Sequence, residues 1–237
     1  MSDWKELASI HAKEVFPEEA CGLVVVHKGK TKYKRCKNVA FKPKDTFVID
    51  PIDYANAEDV STISAIFHSH PIQQARPSLA DKTACENSKL PWYIYAVSFD
   101  DWFDFKPTGY KAPLVGREYA FGIHDCWTLV KDYYESKGIK LRDWERPTNP
   151  DDFAKNPYFD ICFEKTGFRE LKDDENLQDG DSLLFSINSL GLNHVGIFLA
   201  EGNMILHHID GRLSSRDLYS EWLHKCTGKR LRYVDQN

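Results

Sequence analysis

The feature that most constrains this chain is a break near its middle. Residues 106–116 read K-P-T-G-Y-K-A-P-L-V-G, two prolines and two glycines within eleven positions. Such a stretch carries neither helical nor strand periodicity, and it punctuates the chain rather than continuing an element. A chain of 237 residues has room for two domains of ordinary size, each with a core of its own. We therefore read residues 1–106 as one domain, 107–115 as a linker and 116–237 as a second domain, with the boundary near residue 110.

The two halves differ in pattern. In the first, Trp4, Leu7, Ala8, Ile10, His11 and Val15 recur at helical spacing, and Pro17 ends the segment. C-G-L-V-V-V-H at 21–27 predicts a buried strand, turned by Lys28-Gly29 into a partner strand at 31–40. A short strand is expected at 46–49 and a helix at 51–61, with Pro51 at an early helical position. I-S-A-I-F at 63–67 is a strand leading into His68. Ser78 followed three residues later by Asp81 marks the start of a helix to about residue 88. W-Y-I-Y-A-V-S-F at 92–99 is a further strand. In the second half, a helix over about 126–137 is stopped by Gly138, and helical pieces are expected in 151–168. Strands follow at 182–187, 194–200 and 203–209, with turns at Gly180, Gly191 and Gly202. Helix first and strands after is an α+β layout.

Composition excludes several functions. With a net charge of −5 and a pI near 6.0, the chain has no general attraction for nucleic acid or anionic lipid. The one basic run is Lys28, Lys30, Lys32, Lys34, Arg35 and Lys37. Its alternation places lysines on one face of a strand, as a solvated face that also discourages edge-to-edge pairing. No run of apolar residues is long enough to span a membrane. The first residues, Met1 to Glu6, carry no apolar core of a signal peptide. The six cysteines, Cys21, Cys36, Cys85, Cys126, Cys162 and Cys226, form no C-x-x-C pair, which points to a reducing compartment.

Two constellations carry chemistry. Residues 68–81 read H-S-H-P-I-Q-Q-A-R-P-S-L-A-D. His68 and His70, two apart at a strand end, point to the same side. Asp81, from a nearby helix start, supplies a third donor, and three protein ligands with one open position is what catalytic zinc requires. A water in that position would have its pKa lowered towards 7. Ser78 is placed to hold that water or a developing oxyanion, and Glu19 is the candidate carboxylate base. With E-A-C-G at 19–22 upstream, the string resembles the JAMM/MPN metalloproteases over residues 5–105. That resemblance implies an α/β sandwich, zinc on His68, His70 and Asp81, an oxyanion role for Ser78 and an acid–base role for Glu19. Cys21 reads as a buried strand residue rather than a ligand, and Glu18 as a solvated neighbour.

In the second constellation, Cys126 follows Asp125 at the start of a helix, where the helix dipole favours thiolate and Asp125 can cap. The base must come from a histidine distant in sequence. His194, in N-H-V-G-I-F-L, opens one strand, and His207, in I-L-H-H, lies on the next, where it can orient the first ring. G-R-E-Y-A-F-G, D-C-W, D-G-D at 179–181, N-H-V-G-I-F-L and H-H resemble the NlpC-type cell-wall cysteine peptidases over residues 115–237. This implies a papain-like α+β domain, a triad of Cys126, His194 and His207, and Tyr119 near the oxyanion. Trp127 stands where most of that family has Ser. The spacing after His194 is one residue longer than is common, so His208 competes with His207, and strand alternation lets only one of them face the site. His124 reads as a loop residue, and the remaining cysteines as structural.

The tandem resembles the tail-assembly proteins of long-tailed bacteriophages, whose Cys motif accommodates Trp127. It implies an α+β chain of two domains that cleaves peptidoglycan stem peptides with the thiol and an amide or isopeptide with zinc. Its partners would be other phage tail-tip proteins, with no nucleic acid, and its place the host cytoplasm during assembly and the virion tail tip. A structural assembly factor with vestigial or binding-only sites is the alternative. A deubiquitinase-like enzyme is suggested by the first domain alone.

Overall fold

The computed structural model describes residues 3–144, 147 and 156–234. The chain divides into two compact units, Met1–Lys111 and Ala112–Asn237, each mixing helix and sheet.

The first unit contains α1 (Asp3–Val15), β1 (Cys21–His27), β2 (Lys30–Cys36), α2 (Pro51–Glu58), β3 (Thr62–His70), α3 (Leu79–Ser88), β4 (Trp92–Ala96) and β5 (Asp101–Phe105). The sheet order is β2-β1-β3-β4-β5. All neighbours are antiparallel except β3 and β4, which are parallel and joined through α3. Alternation along β3 divides its side chains. Ala65 and Phe67 pack with Trp4, Ala8 and Ala12 of α1. Ile66 packs with Cys21, Leu23, Ala57 of α2 and Cys85 of α3. Helices thus cover both faces of one sheet, an α/β sandwich.

Several expectations need correction. Leu7 and Ile10 are exposed; α1 buries Trp4, Ala8, His11 and Ala12, a stripe narrower than the spacing suggested. β2 stops at Cys36 rather than running to 40, and no strand forms at 46–49, where Ile49 makes one isolated bridge to Asn38. The reason is Asn38: its carboxamide accepts from Ala40 N and Val48 N and donates to Glu19 O and Thr46 O, taking the place of a strand ladder. α2 ends at Glu58. β3 continues through both histidines to His70. β4 ends at Ala96, and the chain turns back at Asp100, φ 51°, into the unexpected β5. The lysine-rich β2 is an edge strand, and Lys30 and Lys32 are exposed.

The second unit contains α4 (Cys126–Ser136), α5 (Tyr158–Cys162), a 3-10 turn at Glu164–Thr166, β6 (Phe168–Glu170), β7 (Ser182–Phe185), β8 (His194–Leu199), β9 (Met204–His207), β10 (Ser215–Leu218), α6 (Glu221–Cys226) and β11 (Thr227–Tyr233). Its antiparallel sheet has the order β10-β9-β8-β7-β11-β6. α4 buries Leu129, Val130, Tyr133 and Tyr134 against Leu184, Val195, Ile197, Leu206 and Leu231. Leu183, Phe185, Phe198 and Ile205 alternate with these and pack with Leu223 of α6. The helical pieces expected over 151–168 are α5 and the 3-10 turn; residues 151–155 lie outside the described residues. β6, β10, α6 and β11 were not anticipated. The architecture is α+β in two domains. Among the described residues no helix is long and apolar enough to cross a membrane.

Candidate functional site

In the first unit, the end of β3 meets the start of α3. His68 and His70 alternate with Ser69, whose hydroxyl accepts from Ala20 N on the opposite side of the strand. Ser78 caps α3 through a reciprocal box: its Oγ accepts from Asp81 N at 3.0 Å, and Asp81 Oδ2 accepts from Ser78 N at 2.8 Å. This holds the Asp81 carboxylate against the histidines. His68 Nε2 and His70 Nε2 are 3.1 Å apart, and they lie 3.4 and 3.6 Å from Asp81 Oδ1 and Oδ2.

These separations fit a metal. Tetrahedral zinc with bonds of about 2.0–2.2 Å sets its donor atoms about 3.3–3.6 Å apart. His70 Nδ1 lies 2.9 Å from Gln74 O, so its Nδ1–H donates there and Nε2 keeps its lone pair for the centre. Phe47 stacks on His68 with ring centroids 4.7 Å apart, and Trp92 meets the same ring edge-on. His68 Nδ1 is buried with no hydrogen-bond partner among the described residues.

The electrostatics match a cation site. Burial holds the His68 ring below its usual pKa. Burial also opposes charge on His70, but the hydrogen bonds to Asp81 and Gln74 win and raise it. Burial alone would raise Asp81, yet His68 and His70 beside it hold its carboxyl well below the ordinary range. The β1–β3 register pairs Cys21 with His68, so its continuation brings Glu19 alongside His70. Glu19 is buried, and its pKa is pushed up to about 8, first by burial and then by Asp81 and Asp45, with His70 opposing.

In the second unit, Cys126 is the first residue of α4. The cap is again a reciprocal box: Asp125 Oδ1 accepts from Thr128 N at 2.9 Å, and Asp125 N donates to Thr128 Oγ1 at 2.8 Å. Asp125 Oδ2 also accepts from Gly122 N. Cys126 is half-buried on the core that α4 shares with β8. His194 opens β8, and its Nε2 lies 3.2 Å from His207 Nδ1 on β9. The rings meet over Gly196, where an added Cβ would lie 2.6 Å from Ile205 Cγ2 and 3.1 Å from His207 Cβ. Burial, followed by His207 and His208, lowers the His194 pKa to about 3. His207 Nε2 lies 3.2 Å from Asp217 Oδ2.

His207 is therefore the histidine brought to His194. His208 turns the other way and packs edge-on against Tyr119, ring centroids 5.2 Å apart. His124 is buried in the turn before α4, its N–H donating to Ala120 O. No disulfide joins any of the six cysteines. Burial pushes the Cys36 thiol up to about 12 and Cys85 up to about 11, as suits inert structural thiols. Asn38, Phe47, the Gln74 carbonyl and Asp217 were not foreseen. None has a local sequence signal; each becomes visible only once loop and strand partners are known.

The family of prokaryotic homologs of the JAB domain matches residues 2–107, and the NlpC/P60 family matches residues 116–232. The chain is 38% identical over 232 residues to the tail tip assembly protein K of Escherichia phage N15, covering 95% of this chain and 92% of that one. It is 33% identical over 173 residues to the tail tip assembly protein K of Escherichia phage lambda, covering 73% and 83%. Among solved structures, a lipoprotein-like NLP/P60 family protein of Staphylococcus aureus is 25% identical over 52% of this chain and 38% of that one, with a TM-score of 0.35.

Proposed function

Because the chain belongs to the family of tail tip assembly protein K, we propose that it acts at the tip of a phage tail and joins a peptidoglycan-cleaving cysteine peptidase to a zinc-dependent amide or isopeptide hydrolase. Residues 1–106 form the zinc domain, 107–115 the linker and 116–237 the peptidase. The start of that linker is tethered to α3, since the Glu86 carboxylate accepts from Thr108 N at 2.6 Å and Tyr110 N at 3.0 Å. The chain works with other tail-tip proteins, first in the host cytoplasm and then in the virion tail tip.

The observation that carries the peptidase reading is the buried pair of His194 and His207 at 3.2 Å, in the same unit as the capped helix opened by Cys126. His194 takes the thiol proton, and the Cys126 thiolate attacks the carbonyl of a stem-peptide amide. The N-terminal end of α4 favours the thiolate, and Tyr119 steadies the oxyanion. His194 then protonates the leaving amine. Water, giving a proton back to His194, releases the acyl group from Cys126. His207 keeps the His194 ring in place through both halves.

In the first unit, His68, His70 and Asp81 are the residues that would hold zinc, which supplies a Lewis acid for amide hydrolysis. Glu19, buried and alongside His70, is the carboxylate that would take a proton from water and pass it to the leaving amine. Ser78 donates to the oxyanion; its Oγ accepts from Asp81 N, which leaves its own proton free for that use. The substrate of this centre is a tail protein during assembly.

Peptidoglycan zymography of the full chain tests the peptidase. Wild type clears the gel and Cys126→Ala does not; equal clearing by both would leave a structural assembly factor as the better reading.

A further inference from the structure

Asp217 lies on β10, outside the set of Cys126, His194, His207 and Tyr119. β10 pairs with β9 so that Ser215 faces His207 and Asp217 faces Ile205. Ser215, Asp217, Ile205 and His207 therefore share one side of the two strands. Asp217 Oδ2 is 3.2 Å from His207 Nε2 and 3.1 Å from Arg212 Nη2. We propose that Asp217 is a positioning residue of the thiol centre, fixing the tautomer of His207 so that His194 presents Nδ1 as the base for Cys126. This inference rests on the peptidase reading above.

Burial opposes charge on Asp217, but its contacts with Ser215, His207 and Arg212 keep the carboxyl below its usual pKa. The contact with His207 is an ion-pair separation rather than an aligned hydrogen bond, since His207 Nε2 has no hydrogen-bond partner among the described residues. An ionised carboxylate at that distance repels a lone pair on Nε2 and so favours the proton there. Burial lowers the pKa of His207 too, so the ring is neutral and Nδ1 holds a lone pair. That lone pair faces His194 Nε2 at 3.2 Å, and Nε2 must therefore be the protonated nitrogen of His194. The remaining nitrogen, Nδ1, is left as the base. One exposed-side carboxylate thus sets the protonation of both rings.

The same chain acts during the reaction. When His194 receives the thiol proton on Nδ1, its positive charge is shared through His207 towards Asp217, which stabilises it. The other charged or titratable groups acting on the pair are His208 and Arg212, and both oppose protonation. Asp217 is the one carboxylate among the groups that set the His207 pKa. Without it, His207 is free to carry its proton on Nδ1. It would then donate to His194 Nε2 and drive the His194 proton onto Nδ1, where it blocks the thiol.

The test uses the full chain. In 15N-histidine spectra of the wild type at neutral pH, His207 and His194 are both expected as Nε2–H tautomers; a His207 proton on Nδ1 overturns the proposal without any variant. In hydrolysis of purified peptidoglycan, Asp217→Asn is expected to lower kcat about 10- to 100-fold, the scale of the roughly one to two pKa units by which a close opposite charge shifts a titrating group. KM should stay within about twofold, because Asp217 acts on the base and not on the substrate. The alkaline limb of the kcat profile should move to lower pH, since the imidazolium has lost its counter-charge. Asp217→Glu should restore part of kcat and of the limb. An Asp217→Asn protein with wild-type kcat and pH profile overturns the proposal and leaves an ordinary surface ion pair with Arg212. A wild type that cleaves no better than Cys126→Ala would instead sink the peptidase reading, and the tautomers would still judge the influence of Asp217 on the two rings.

Discussion

Zinc should stabilise the first unit and leave the second untouched. The two histidine Nε2 atoms are 3.1 Å apart and lie 3.4 and 3.6 Å from the two oxygens of Asp81, so the folded unit should bind the cation, whereas the unfolded chain does not hold that geometry. At a free zinc concentration about 100 times Kd, such linkage contributes about 2.7 kcal/mol. The unit spans Met1–Lys111. With an unfolding entropy of about 2.1 cal/mol/K per residue, about 0.23 kcal/mol/K for the whole unit, this shifts its Tm by about 12 °C. Scanning calorimetry of the full chain, with zinc and with chelator, reads the shift directly. The transition that does not move serves as the internal control, because His194, His207 and Cys126 lie in the other unit.

The His70→Ala protein sharpens the test. It keeps the capping box of α3 and the Phe47–His68 stack but removes one of three donors, so the zinc-dependent shift should vanish. The shift should also shrink on acidification, because both rings must be neutral to donate. If excess zinc moves no transition of the wild type, or moves that of His70→Ala equally, the donor set does not hold the metal and the hydrolase reading of this unit falls with it.

Further outcomes follow from single side chains. Gly196→Ala should cost about 1–3 kcal/mol and reduce peptidoglycan cleavage, since its Cβ would sit 2.6 Å from Ile205 Cγ2 and press on His207; unchanged urea denaturation and cleavage would show that the rings need no such gap. Asn38→Ala removes the hydrogen bonds donated to Glu19 O and Thr46 O and accepted from Ala40 N and Val48 N around the loop that carries Phe47. It should cost about 2–4 kcal/mol in urea titrations, and a loss under about 0.5 kcal/mol would mean the loop is held otherwise. His11, buried and 2.7 Å from Tyr33 Oη, has its pKa lowered from 6.5 to about 4, first by burial and then by Arg35. Its contribution is complete above pH 6.5 and is lost as pH falls towards 4, because the unfolded chain then binds the proton and the folded one does not; up to about 3 kcal/mol is at stake. Denaturant titrations at pH 7 and 4.5 should show a smaller loss in His11→Gln than in wild type, and equal losses would refute it.

The sequence made visible whatever is encoded locally. β1, β3, α3 and α4 follow from apolar runs, from period and from caps that sit within four residues of their partners. The strands it hid are those whose reason is elsewhere. β5 reads D-W-F-D-F directly after a turn at Asp100 and pairs with β4 only because β4 is there to receive it. β10 reads S-R-D-L and β11 T-G-K-R-L-R-Y, neither with an apolar run, and they lie beside β9 or between β7 and β6, so their strand character comes from neighbours rather than from propensity. Glu19, His68, His70 and Asp81 were legible as a spaced string although Glu19 is far from the others in sequence. The choice between His207 and His208 was legible as a question of alternation. Which ring lies beside His194 is set by the β8–β9 register, which pairs Gly196 with His207.

Both centres are built at a helix start held by a reciprocal capping box, and the difference between the two boxes matters. A helix N-terminus offers N–H groups with no partner inside the helix, so a polar side chain that satisfies them is fixed in rotamer as well as in position. At α4 the box belongs to Asp125 and Thr128, and Cys126 inherits a fixed backbone while its thiol stays out of the box. The chemistry and the cap are therefore separable, and a cap variant should weaken the helix before it changes the thiol. At α3 the N3 partner of the capping residue Ser78 is Asp81, the same side chain proposed as a metal donor. Asp81 Oδ2 accepts from Ser78 N while Oδ1 lies 3.4 Å from His68 Nε2. One carboxylate thus closes the helix, lowers its own pKa through the two histidines and completes the donor set, so no substitution at Asp81 can alter one of these without altering the others.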